Sequence, residues 1–218
     1  MADDLDAEDS SLLLAAEECP RDQFDKYHTF TRYERGIIQK LIAHGPVLLR
    51  GGRGSGKSAI LIETYLEIRK NYIQSVVPVY ISLRHLPLLK SEGTAYVSNF
   101  CRILSSEINK ELRNYGASFP IARDVGPLLE ALEANARHLN RRFVLLFDDA
   151  AHIGRERPLI EFFDIFRTIS TSRVSCKAAI YPGVTKFGIR FDVYNDATVV
   201  DISETIENLT LKIFLLRY

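Results

Sequence analysis

Cysteine is scarce in this chain: Cys19, Cys101 and Cys176 are odd in number and far apart. Such a set supports neither a disulfide framework nor a zinc site, so a reducing, cytoplasmic location is expected. The five histidines are equally scattered and form no metal-ligand spacing. Long apolar runs are missing as well. None approaches the roughly 18 residues that cross a bilayer, so no membrane partner is expected. The patch Leu12–Ala16 is short and flanked by acids, where a secretory signal wants a basic start. Lys and Arg are absent from residues 1–20, which carry the acids Asp3, Asp4, Asp6, Glu8, Asp9, Glu17 and Glu18. Residues 1–22 therefore read as an acidic, disordered tail ahead of a domain over residues 23–218. Removing those acids leaves 28 basic residues against 21 acidic ones. That balance permits anionic partners but lacks the strongly basic face of a dedicated DNA binder.

What is present is an alternation of strand and helix. Tyr33, Ile37, Ile38, Leu41 and Ile42 recur at helical spacing within Thr31–Ala43. Gly45-Pro46 stops that helix, and Val47-Leu48-Leu49 reads as a short buried strand. A helix follows over Ser58–Lys70, then a strand over Val76–Leu83. Long helical patterns cover Thr94–Asn114 and Asp124–Leu139. Phe143–Phe147 is five consecutive apolar residues, the mark of a strand covered on both faces. A helix over Leu159–Ile169, strands over Lys177–Tyr181 and Thr198–Ile202, and a last helix from Thr205 complete the pattern. Such alternation implies an α/β fold with a mostly parallel sheet of about five strands between two helix layers. The apolar crowding from Leu209 to Leu216 implies that further structure follows Tyr218.

Between the first strand and its helix lies Gly51-Gly52-Arg53-Gly54-Ser55-Gly56-Lys57-Ser58, followed by Ala59. The spacing satisfies the phosphate-binding P-loop pattern at every fixed position. Glycines let the backbone fold so that successive N–H groups converge on phosphate oxygens. The start of the helix adds its positive dipole end. Lys57 is placed to reach β- and γ-phosphates, and the Ser58 hydroxyl to ligate Mg2+. Residue frequencies alone give a chance match in roughly one chain per hundred of this length; the flanking strand and helix lower that further.

About ninety residues downstream, the strand Phe143–Phe147 ends in Asp148-Asp149. Ligands of open α/β sheets sit at the carboxyl ends of strands. Asp148 is the candidate magnesium-side ligand, and Asp149 the candidate that orients or deprotonates the attacking water. The competing reading makes Asp148 a helix N-cap and Asp149 a solvated neighbour.

The two motifs together resemble the additional-strand branch of P-loop ATPases, and within it the AAA+ and STAND types, including origin-recognition-type initiators. The resemblance runs from about Phe30 to Ile202. It implies a P-loop NTPase core, ATP and Mg2+ as ligands, another strand between the two motif strands, and homo-oligomerisation. It also implies a DNA or protein partner engaged through a C-terminal region that would follow Tyr218. Phe30-Thr31-Arg32-Tyr33-Glu34 is similar to the segment that packs against adenine in these families, but lacks their glycine; a capped helix start explains it equally. The polar group at the end of the strand Lys177–Tyr181 would be Tyr181 or Thr185, though Tyr181-Pro182-Gly183 also reads as a turn. Arg155, Arg157, Arg173 and Arg190 are candidates for an arginine finger.

Asp149 stands where fast AAA+ enzymes carry glutamate, one methylene longer. Slow turnover suited to a switch is therefore expected. No lid helix is evident before residue 218. A GTPase is disfavoured because Asn109-Lys110-Glu111-Leu112 ends wrongly for a guanine box. A small-molecule kinase fits less well than water activation by paired acids. A nucleotide-binding module without hydrolysis remains an alternative.

Overall fold

The computed structural model describes residues 16, 19–150, 156–183, 187–188 and 190–202. The expected last helix from Thr205, the lid question, Arg155 and Thr185 lie outside the described residues.

Helix formation starts at a sequence signal that the fold uses in full. Thr31 accepts from the Glu34 amide through Oγ1, and Glu34 accepts from the Thr31 amide at 2.7 Å. This capping box starts α2 (Arg32–Ile42), after a one-turn α1 (Phe24–Tyr27). Capping of this kind satisfies two amides that helix geometry leaves without partners. Gly45, at φ 86°, turns the chain into strand β1 (Val47–Arg50). Helix α3 (Lys57–Glu67) leads through a π-turn at Ile68–Tyr72 into β2 (Val76–Ser82). A one-turn α4 (Leu86–Leu89) precedes the long α5 (Gly93–Leu112). The Asp124 carboxylate caps α6 (Val125–Leu139), which stops at Asn140 in the left-handed region. Then come β3 (Arg142–Asp148), α7 (Glu156–Ile169), β4 (Val174–Ile180), a one-turn α8 (Val193–Asp196) and β5 (Thr198–Asp201).

The five strands form one sheet in the order β2-β3-β4-β1-β5, every pair parallel. β4 therefore separates β1 from β3, the arrangement expected of the two motif strands. β2 forms one edge and carries Pro78 in its middle, opposite Val144.

Alternation along β3 explains the layering. Phe143, Leu145 and Phe147 face a core built with α5, α6 and α7, whereas Val144 and Leu146 face one built with α2 and α3. A strand buried on both faces must be apolar at every position, which is why this one reads as an unbroken run. The larger core holds a cluster of rings in which Phe162 lies 5.5 Å from Phe147, 5.9 Å from Phe100 and 5.1 Å from Phe163.

Packing begins ahead of the boundary expected at residue 23. Cys19 and Phe24 are buried with Ala59 and Ile62 of α3, covering an apolar side of that helix next to Tyr80 of β2.

Candidate functional site

The loop between β1 and α3 takes its shape from its glycines. Gly54 and Gly56 have φ of 76° and 84°, a region closed to most side chains. Gly51 is needed for space: a Cβ there would stand 2.5 Å from Ser55 Oγ. The loop ends at the first turn of α3, whose amides have no partner within the helix and so serve anions. Residues 53–59 line one side of a cleft of about 410 Å³.

Lys57 lies in this cleft at 7% exposure. Its ammonium donates to the carbonyls of Gly51 and Gly52 at 2.8 and 2.7 Å, and stands 4.2 Å from the centre of the Tyr181 ring. Burial pushes the ammonium below its ordinary range, while Asp148 and Asp149 oppose that shift. The charges are close enough to act on one another.

The opposite wall is the end of β3. Asp148 is the last residue of that strand and is 1% exposed. Tyr80 Oη donates to Asp148 Oδ2 at 2.7 Å, and the Asp149 amide donates to Asp148 Oδ1 at 2.8 Å. Asp149 is 4% exposed, not a solvated neighbour. It adopts φ 56°, an uncommon conformation for a residue with a side chain. Its Oδ2 accepts from Arg84 Nε at 2.8 Å, with Ser82 Oγ at 3.5 Å. Tyr80, Ser82 and Arg84 all come from β2 and the residue pair after it, the strand that lies against β3.

The structure thus brings Lys57, Ser58, Ala59, Asp148 and Asp149 to one cleft, together with Tyr181, Arg53 and the unforeseen Ala16, His28, Arg84 and Ala179. Burial raises the Tyr181 phenol above its ordinary value, and Asp149 adds to the shift. Phe30–Glu34 behaves as a capped helix start. Arg32 and Tyr33 line a separate depression on α2 with Gly36, Ile37 and Lys40. Ala16 and His28 reach the cleft instead. Among the arginine-finger candidates, Arg157 is exposed at the start of α7 and Arg190 is exposed in a bend ahead of α8. Arg173 lies at the opposite, amino-terminal edge of the sheet.

The chemistry of the donors fits a magnesium–polyphosphate pair. Magnesium prefers oxygen ligands and keeps one or two protein groups beside phosphates and water. A hydroxyl at Ser58 and a buried carboxylate at Asp148 supply that kind of set. Among the described residues no group of three or more His, Cys, Asp or Glu forms a metal cage.

No protein-family model matches the sequence, and no curated protein does. Solved structures do. The Drosophila ORC bound to GC-rich DNA and Cdc6 superposes with a TM-score of 0.52 over 83% of this chain, at 9% identity. With a 2-3-4-1-5 parallel sheet and a glycine loop after β1, this decides the architecture. The fold is that of a P-loop NTPase core, similar to the one in that ORC structure. AMPPCP-bound DnaA from Aquifex aeolicus matches 87% of the chain with a TM-score of 0.43 and 16% identity. The Aeropyrum pernix ORC1 protein in complex with DNA matches 76%, with a TM-score of 0.45 and 18% identity. The chain spans 54% of that DnaA chain, 43% of that ORC1 chain and 30% of the matched ORC–Cdc6 chain. Among the described residues, no helix of this P-loop fold is long and apolar enough to cross a membrane.

Proposed function

We propose that the chain binds Mg·ATP in the P-loop cleft and hydrolyses it slowly, as the nucleotide-driven switch of an oligomerising ATPase. The observation that carries this reading is the convergence of three buried charges, Lys57, Asp148 and Asp149, on the cleft lined by the glycine loop.

Each residue has a separable task. The amides of residues 52–59 and the start of α3 bind the phosphates. Lys57, held on the carbonyls of Gly51 and Gly52, turns to the β- and γ-phosphoryl oxygens. Ser58 and Asp148 would hold Mg2+, which when bound neutralises developing charge on the transferred group. Asp149 orients the attacking water and accepts its proton. With Oδ2 held by Arg84, that carboxylate is not free to turn, so the ion pair slows hydrolysis until it opens. Slow turnover follows from this pairing and from the short aspartate side chain alike.

The same ion pair favours a second reading, a module that binds ATP without turnover. ATP binding by calorimetry and phosphate release, compared for the wild type and Lys57→Ala, separate the readings. Loss of both binding and release in the variant supports the ATPase. Tight binding by the wild type, with phosphate release no faster than in the variant, supports the module, and no binding by the wild type sinks both. Assembly, on DNA or with a protein partner, belongs to the proposal because the Drosophila relative is itself bound to DNA and Cdc6. Mass measurement in solution with and without Mg·ATP tests it; an unchanged monomer mass argues against a nucleotide-driven oligomer.

A further inference from the structure

A second basic pocket lies at the amino-terminal edge of the sheet, across the molecule from the P-loop. It has a volume of about 500 Å³, and His44, Ser75, Arg142, Ser172 and Arg173 contribute to its walls. These residues stand at or just before the starts of β1, β2, β3 and β4. Arg142 and the Ser172–Arg173 pair stand at the starts of the neighbouring strands β3 and β4, about 4.8 Å apart, a separation one phosphoryl group can span, with Ser75 and His44 ahead of the strands to either side.

Helix C-termini also gather at this edge, and cations there cap carbonyls. That task is already filled. Lys177, fully buried, donates to the carbonyls of Ala43 and Gly45, and Arg142 Nη2 donates to that of Ile42. Arg141 is held by Gln74 and by the ring of Tyr115. What remains is donor capacity without an acceptor. Arg142 Nη1 is buried with no hydrogen-bond partner among the described residues. Arg173 meets its carboxylate, Glu133, only at 3.9 Å, beyond hydrogen-bond reach, and Glu133 also accepts from Thr171. Burial holds the Arg142 guanidinium below its ordinary value, as expected of a cation lacking a counter-charge. A buried donor left unmade is costly, and a guanidinium fork matches phosphoryl oxygens in geometry.

We propose that this pocket binds a phosphoryl group, with Arg142 and Arg173 as the charged donors and His44, Ser75 and Ser172 around them. Its ligand is either a free phosphate compound or the backbone of a nucleic acid, since both present the same oxygens.

The test uses the full chain loaded with one equivalent of AMPPCP and Mg2+ and cleared of free nucleotide, so that only the P-loop cleft is filled. Pyrophosphate and a 12-nucleotide single strand are titrated separately by calorimetry at low salt. Pyrophosphate is expected to bind with a Kd tighter than about 1 mM. The same affinity is expected in Lys57→Ala, which separates this pocket from the P-loop. The double variant Arg173→Ala, His44→Ala removes exposed rim groups, so it should fold, and a wild-type unfolding midpoint verifies this. It should bind about tenfold more weakly. An oligonucleotide weakened by the same variant names nucleic acid as the source, and one unaffected names a free phosphate compound. Absence of pyrophosphate binding, or binding unchanged in the double variant, overturns the proposal and leaves these cations as helix caps.

Discussion

Arg84 and Asp149 form the pair on which the timing of the chemistry rests. Arg84 is half exposed and Asp149 almost wholly buried, so the arginine can swing into solvent while the carboxylate stays. Arg84→Ala should raise basal ATP turnover, and Asp149→Asn should lower it by about a hundredfold or more with ATP affinity retained. Phosphate release at saturating ATP, together with nucleotide Kd, checks both; slower turnover in Arg84→Ala would make the arginine part of the machinery. Lys177 gives a second residue-level test. Burial, with Arg142 adding to it, pushes its ammonium from the ordinary 10.5 down to about 7. Below about 7 both folded and unfolded chains hold the proton, and the penalty of burying it is at its full size. Between about 7 and 10.5 only the unfolded chain holds it, so this residue makes stability rise with pH. Lys177→Met should flatten that rise in denaturant unfolding followed from neutral to alkaline pH. Parallel curves for the two proteins would refute the assignment. Lys57, Ser58, Asp148 and Asp149 were legible in the sequence because each sits at a fixed offset in a motif. Tyr80, Arg84 and His28 were not. Arg84 and His28 reach the cleft, and Tyr80 reaches Asp148, through strand pairing and the N-terminal crossing of α3, and no local spacing encodes either.

Among the elements, β3 couples core to chemistry most directly, since Phe147 precedes Asp148. Its support is the ring cluster centred on Phe162. Phe162→Ala should cost about 3–5 kcal/mol through lost burial and a residual cavity, read in urea unfolding. Because β3 loses packing on one face, nucleotide affinity should fall as well. A stability loss under about 1 kcal/mol would show that the neighbouring rings collapse into the space. Helices with strong stripes and caps were readable to within a few residues: Thr31 and Asp124 flank α2 and α6 as expected. One-turn helices such as α4 and α8 were not, because four residues carry no period. The π-turn after Glu67 ends α3 earlier than its apolar spacing implied.

For the molecule as a whole, ligand binding and folding share one equilibrium. If Mg·ATP binds only the folded chain, a concentration of a hundred times Kd adds about 2.7 kcal/mol. That corresponds to a rise in Tm of about 5–10 °C for a domain of this size. Chelating the metal should abolish most of the rise, and a melting curve indifferent to nucleotide would contradict the proposed site. The strand order had no direct sequence signal. Resemblance implied only that another strand separates the two motif strands, because crossovers are fixed by packing over the sheet and not by local pattern. Pro78 has a bearing on colloidal behaviour. Standing mid-way along an edge strand, it presents no amide to an incoming chain, so cross-molecule strand addition is blocked on that flank. Pro78→Val should fold and yet precipitate sooner on concentration, measurable by light scattering. If it stays as dispersed as the parent, some other feature shields that rim.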